Sequence, residues 1–381
     1  MVADAGEAHG YTMLRHLESQ PVTTEPRPSS RDPLIDLLRA ASLLVVVAWH
    51  WLFTVVIWHN GPHTSNPIGT TPGMWALTWV LQVMPLFFFV GGFAHLVTWE
   101  SVERDGRGYG EFLRRRLSRL LRPTAVCLAV MLVARILLSV VAPGVAWVGS
   151  GMMLVLSPLW FLGIYVGLVV VTPLAVRLHR ATGTAGLVVL AAAAVMVDVL
   201  RFDAHIPGIA MANLAIVWAF CHQLGFHWRT LITASRRTAW ALALTGFAGL
   251  VALTNIGVYP RSMVGVPGEA ISNMGPPTMC ILALMLLQVG VVLLVRERMT
   301  EWLGRPRPKR FTMWAGSRSM TVYLWHFPAF AAAYGLFVAF GHHVPDHTSL
   351  AWWVERPLWA VVPAAIVTPV VVGLRRFEVH R

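Results

Sequence analysis

Arg39 and His50 are the residues whose type and spacing first point to chemistry. They stand 11 positions apart in the segment RDPLIDLLRAASLLVVVAWHWLF. On an α-helix that interval is roughly 1100° of rotation, about 20° from whole turns, so both side chains project from one face with about 16 Å of rise between them. A guanidinium binds phosphate and carboxylate through a planar fork, and a neutral imidazole takes up a proton near physiological pH. Such a face, with a cation at its mouth and an imidazole near mid-membrane, suits a channel for an anionic substrate that enters from the cytoplasm. Plainer roles fit the same residues. Arg39, with Asp36 one turn earlier, fits a snorkelling side chain, and His50, flanked by Trp49 and Trp51, fits an interfacial or core histidine.

Other polar groups inside apolar runs are sparse. Arg135 is expected about 18 Å into the third span and Asp198 about 21 Å into the fifth, counted from the cytoplasm, so an ion pair between them is expected. His326, in TVYLWHFP, suits either a substrate entry or a bond to a neighbouring helix. Over 109–122, Phe112, Leu113, Leu117, Leu120 and Leu121 fall on one side of a helix and Arg115, Arg116, Arg119 and Arg122 on the other, a pattern ordinary for a helix on anionic lipid. His342, His343 and His347 are expected in a solvated loop, with no metal site. Cys127, Cys221 and Cys280 lie in apolar runs and read as small core residues. Walker A, Rossmann and Gly-x-Ser-x-Gly patterns are absent from the sequence.

The elements that must position these residues are membrane helices. The chain is 56% hydrophobic and 13% charged, against roughly 25% charged in soluble domains. The formal charge of +12 sits mainly in short loops between apolar runs, which argues against nucleic acid as a partner. About ten runs have the length of a span, near 37–58, 74–99, 123–142, 159–176, 184–200, 208–226, 239–257, 278–295, 321–340 and 357–374, with a kink expected in the second around Pro85 and Gly91-Gly92. The loops on one side carry 22 Arg and Lys; those on the other carry Arg201, Arg261 and Arg356. The positive-inside rule then places both termini in the cytoplasm. Residues 1–35 are expected as a disordered cytoplasmic arm with no cleavable signal, and 36–381 as one all-α polytopic membrane domain without a soluble catalytic part.

Several segments, in order, resemble the acyltransferase 3 family. Arg39, ten residues and His50 resemble the hallmark of its first helix. MPLFFFVGGFAH, FLRRRLSRLLRP with Arg116 and Arg119 at Arg-x-x-Arg spacing, PLWFLGIYV with Trp160, and MTVYLWHFPAF with Tyr323 and His326 are similar to its later segments. The Ser-Gly common in the family's second span is Gly91-Gly92 here. The resemblance implies an integral membrane acyltransferase of the plasma (inner) membrane. It would move an acyl group, acetyl or another short acyl, from cytoplasmic acyl-CoA to a hydroxyl of an envelope glycan, a glycolipid or an exported small molecule. Arg115, Arg116 and Arg119 would contact acyl-CoA, and His50 would act as general base or carry the acyl group covalently. No permanently bound cofactor is expected, and membrane lipid and the two substrates are the expected partners. Asp36, Trp160, Arg135, Asp198, Tyr323 and His326 remain candidates for a pathway or for structure. The rival reading is a secondary transporter with a buried pathway lined by Arg and His.

Overall fold

In lipid, every backbone N–H and C=O of an apolar run must be bonded within the segment, so runs of about 20 residues form helices. The computed structural model describes residues 32–141, 143 and 148–378. Among these, ten helical segments are long and apolar enough to cross a membrane. They are built from α1 (Pro33–Phe53), α2 (Trp75–Leu81) with α3 (Met84–Arg104), α4 (Tyr109–Val141), α5 (Val148–Leu156) with α6 (Trp160–Thr182), α7 (Ala185–Phe202), α8 (Ala212–Phe226), α10 (Arg236–Ile256), α11 (Met279–Leu303), α12 (Pro306–Ala339) and α14 (Arg356–Glu378). Two short helices, α9 (Trp228–Leu231) and α13 (Leu350–Val354), complete the set. The protein is an all-α, multi-pass membrane protein. The arm expected over 1–35 falls outside the described residues up to residue 31, and helix begins at Pro33.

Four boundaries differ from the sequence-based expectation. The first span ends at Phe53, and β1 (Val55–Trp58) pairs antiparallel with β2 (Pro62–Ser65), Val55 opposite Ser65. The β-branched run Val55-Val56-Ile57 and the turn at Asn60-Gly61, both at positive φ, favour a hairpin. His50 therefore lies in the last turn of its helix. The second span breaks at Gln82-Val83, just before Pro85, and runs unbroken through Gly91-Gly92. Proline lacks an N–H and suits a helix start, while the Gln82 side chain accepts from the Met84 N–H. The basic segment at 109–122 is the first half of α4 rather than a separate loop helix. Part of the loop expected at 143–158 forms α5, which leads through a 3-10 turn at Ser157–Leu159 into α6.

Glycines let the central helices approach closely, as membrane interfaces require. Gly92 of α3 sits against the His222 carbonyl of α8, and Gly225 of α8 sits against the Phe89 carbonyl of α3. Gly246 of α10 and Gly290 of α11 do the same for the neighbouring pair. Phe88, Phe89, Trp218, Leu284 and Met285 are fully buried in the core so formed. Helix α1 packs against α3, α12 and α14, which sets its Arg39–His50 face among residues from distant parts of the chain.

Candidate active site

The end of α1 that carries His50 borders a cavity of about 350 Å³. Its walls include Trp49, Asn66, Gln82, Met84, Trp160 and Tyr323, so apolar surface dominates, with the Asn66 and Gln82 amides among it. His50 is half-buried. Its Nδ1 lies 2.9 Å from Nε2 of His326 on α12, and Phe327 meets its ring edge-on at 5.5 Å. The Trp51 indole N–H donates to the His326 carbonyl at 2.8 Å, which ties α1 to α12 at this level. The Tyr323 hydroxyl donates to the Pro158 carbonyl. Trp160, Tyr323 and His326 thus gather at His50, although only the latter two share a helix.

Arg39 occupies the other end of the same helix. Its guanidinium bonds Asp36 at 2.8 Å and lies over Gly316 of α12, where a Cβ would come within 3.3 Å of Nη2. Arg115, Arg116 and Arg119 of α4 have different environments. Arg115 is bonded to Glu111 at 2.7 Å, with Asp105 at 3.6 Å. Arg116 turns inward and donates to the Ala94 carbonyl of α3. Arg119 is exposed and forms no ion pair among the described residues. Arg39 and Arg119 are each near enough to Arg116 to act on it electrostatically, and the Tyr165 hydroxyl lies within the field of Arg116 and Arg39. The Nε atoms of Arg39 and Arg116 are both buried without an acceptor among the described residues. An unpaired buried donor costs about 1–3 kcal/mol, more for a charged group.

A second histidine pair lies deeper in the bundle. His95 Nδ1 of α3 and His222 Nε2 of α8 are 2.9 Å apart, both rings are buried, and Tyr165 packs on His95 at 5.0 Å. Sequence reasoning passed over His95, His222, Tyr165, Gln82 and Asn66. The signal for the two histidines was present, since ionisable side chains within apolar spans are functional candidates by default.

Arg135 and Asp198 do not pair. Asp198 points inward and accepts from Asn213 at 3.0 Å, the Tyr259 hydroxyl at 3.0 Å and the Met279 N–H at 2.8 Å. These neutral donors satisfy the carboxylate and fasten α7, α8, the 258–277 loop and the start of α11 together. Burial, and then the Asp198 carboxylate, raise the Tyr259 phenol well above its usual pKa. Arg135 is exposed on the part of α4 where Leu132, Val133, Ile136 and Leu137 also face outward, so it lies away from the site. In the 341–349 loop, His342 pairs with Glu355 at 3.1 Å and His347 with Asp346 at 2.9 Å.

Neither a curated protein nor a solved structure matches this chain. The model of the acyltransferase 3 family, described as an acyltransferase domain, matches residues 32–375. That range takes in both ends of α1, the cavity and the arginines of α4. The chain belongs to the acyltransferase 3 family and is a membrane-embedded acyltransferase.

Proposed function

We propose that the protein transfers a short acyl group from acyl-CoA to a hydroxyl of an envelope glycan, a glycolipid or an exported small molecule in the plasma membrane, with His50 as general base. One observation carries this reading: a cavity bordered by His50 lies at the opposite end of α1 from Arg39, whose buried Nε, like that of Arg116, lacks an acceptor among the described residues. The donor is a polyanion with a long flexible arm, and its phosphates match the Arg39–Arg116–Arg119 group. The arm would carry the thioester along α1 toward His50. Asn66, Val264, Gly265 and Met274 line the cavity, and they come from two of the loops assigned to the outer side by the charge distribution. The acceptor would therefore enter from outside.

The reaction needs one proton transferred twice. The acceptor hydroxyl gives its proton to His50 as its oxygen bonds to the thioester carbonyl carbon. The carbon–sulfur bond then breaks, and the imidazolium returns the proton to the departing thiolate. Direct transfer uses no residue beyond those in place, and for that reason it is preferred to an acyl-histidine intermediate. The test is thioester consumption by the purified protein with an extract of envelope acceptors. Acceptor-dependent release of free CoA thiol is the expected result. Uptake of a solute into vesicles with no thiol released would instead establish the transporter reading.

A further inference from the structure

His326 and Tyr323 determine which nitrogen of His50 carries the hydrogen. Nδ1 of His326 meets the backbone carbonyl of Tyr323. A carbonyl oxygen only accepts, so that nitrogen is the protonated one. In a neutral imidazole the other nitrogen, Nε2, is then a lone pair. This lone pair lies 2.9 Å from His50 Nδ1, so His50 must donate there. Its Nδ1 carries the hydrogen, and its Nε2 is left as the basic nitrogen.

We infer that His326 is a positioning residue that holds His50 in its Nδ1–H tautomer, so that Nε2 receives the acceptor's proton. The inference rests on the reading of His50 as the base. Several contacts keep the device rigid. His326 is buried, its carbonyl is held by Trp51, and Phe327 flanks the His50 ring. The cavity is bordered by His50 and Tyr323 while His326 stands behind them, as a positioning group should. During transfer the hydroxyl proton moves to Nε2 of His50 and later to the thiolate. Nδ1–H stays bonded to His326 throughout, and Nε2 keeps its lone pair for the acceptor's proton. The arrangement does the work that a carboxylate does behind the histidine of a hydrolase triad, with a neutral imidazole whose own tautomer is set by the main chain.

The test has two arms on the full-length protein. Nitrogen-15 NMR of histidine-labelled wild-type protein, with the His50 signal identified by its loss in His50→Gln, should report the Nδ1–H tautomer. His326→Leu, which removes the acceptor, should lower kcat about 10–100-fold at unchanged KM for acyl-CoA. His326→Gln, whose amide oxygen accepts the same hydrogen, should recover most of the loss. An Nε2–H tautomer in the wild type, a normal kcat in His326→Leu, or a His326→Gln variant as slow as His326→Leu would each overturn the inference. If His326→Leu does not insert, the wild-type tautomer decides. Failure of the underlying reading has a separate signature, normal turnover by His50→Ala, which leaves the tautomer measurement untouched.

Discussion

Gly92 of α3 faces the backbone carbonyl of His222 on α8 so closely that a Cβ at residue 92 would lie 1.9 Å from that oxygen. The same two helices meet a second time at Gly225 and the Phe89 carbonyl, where a Cβ would lie at 2.0 Å. The obstacle at each point is main chain, which cannot rotate aside. Gly92→Ala should therefore destabilise the bundle by at least about 1–3 kcal/mol, read as a lower melting temperature in detergent. At Gly91 the nearest atoms belong to the Tyr165 ring, at 2.7 Å, and a side chain can shift. Gly91→Ala should melt closer to wild type, and equal losses at the two positions would contradict the packing account.

His50→Ala should insert normally and lose about 10²–10⁴-fold in kcat, the usual contribution of a general base. His50 borders the cavity and is only half-buried, so its truncation should cost little stability. Thiol release with a saturating acceptor is the measurement. Turnover within threefold of wild type would exclude His50 as the base.

Arg39→Ala should act on donor binding. Losing a charge-assisted contact to phosphate is expected to raise KM for acyl-CoA roughly tenfold or more with a smaller change in kcat. Arg39→Lys should recover part of this, because a point charge replaces a fork. Gly316→Val should raise KM as well, since its side chain would enter the space of the Arg39 guanidinium, where even a Cβ comes within 3.3 Å. A Gly316→Val enzyme with wild-type KM would show that the position of Arg39 over α12 is irrelevant to the donor.

Arg116 and Arg119 share a motif but should respond differently. Arg116 donates to the Ala94 carbonyl and is turned inward, so Arg116→Ala should shift the melting temperature as well as weaken the donor site. Arg119 is exposed, and its removal should raise KM for acyl-CoA without moving the melting temperature. Identical behaviour of the two single variants in both assays would refute this division.

Orientation can be read by labelling. The native cysteines are all buried, so single introduced thiols report cleanly. With the arginine-rich loops in the cytoplasm, Glu269→Cys should react with an impermeant maleimide on intact cells, and Arg107→Cys only after permeabilisation. The opposite pattern would invert the protein and place donor entry outside.

Hydropathy and loop charge are local properties, and they determined the number of spans and the composition of the site's first helix. The interval between Arg39 and His50 was legible for the same reason, because helical rise and rotation follow from residue count alone. What lies across from a helix face is not local. His326 stands 276 residues beyond His50, and no periodicity relates them; only the packing of α1 on α12 brings their rings together. The expected Arg135–Asp198 pair failed similarly. Equal depth in the membrane does not specify rotation, and Asp198 turned toward Asn213, Tyr259 and Met279 while Arg135 faced outward. Arg116 and Arg119 look alike in sequence, yet the Ala94 carbonyl of α3 claims one of them. The sequence by itself thus determined the membrane class, the helices and the two polar ends of α1. Tertiary structure decided which side chains meet there, because helix rotation and contact are set by close packing against distant segments.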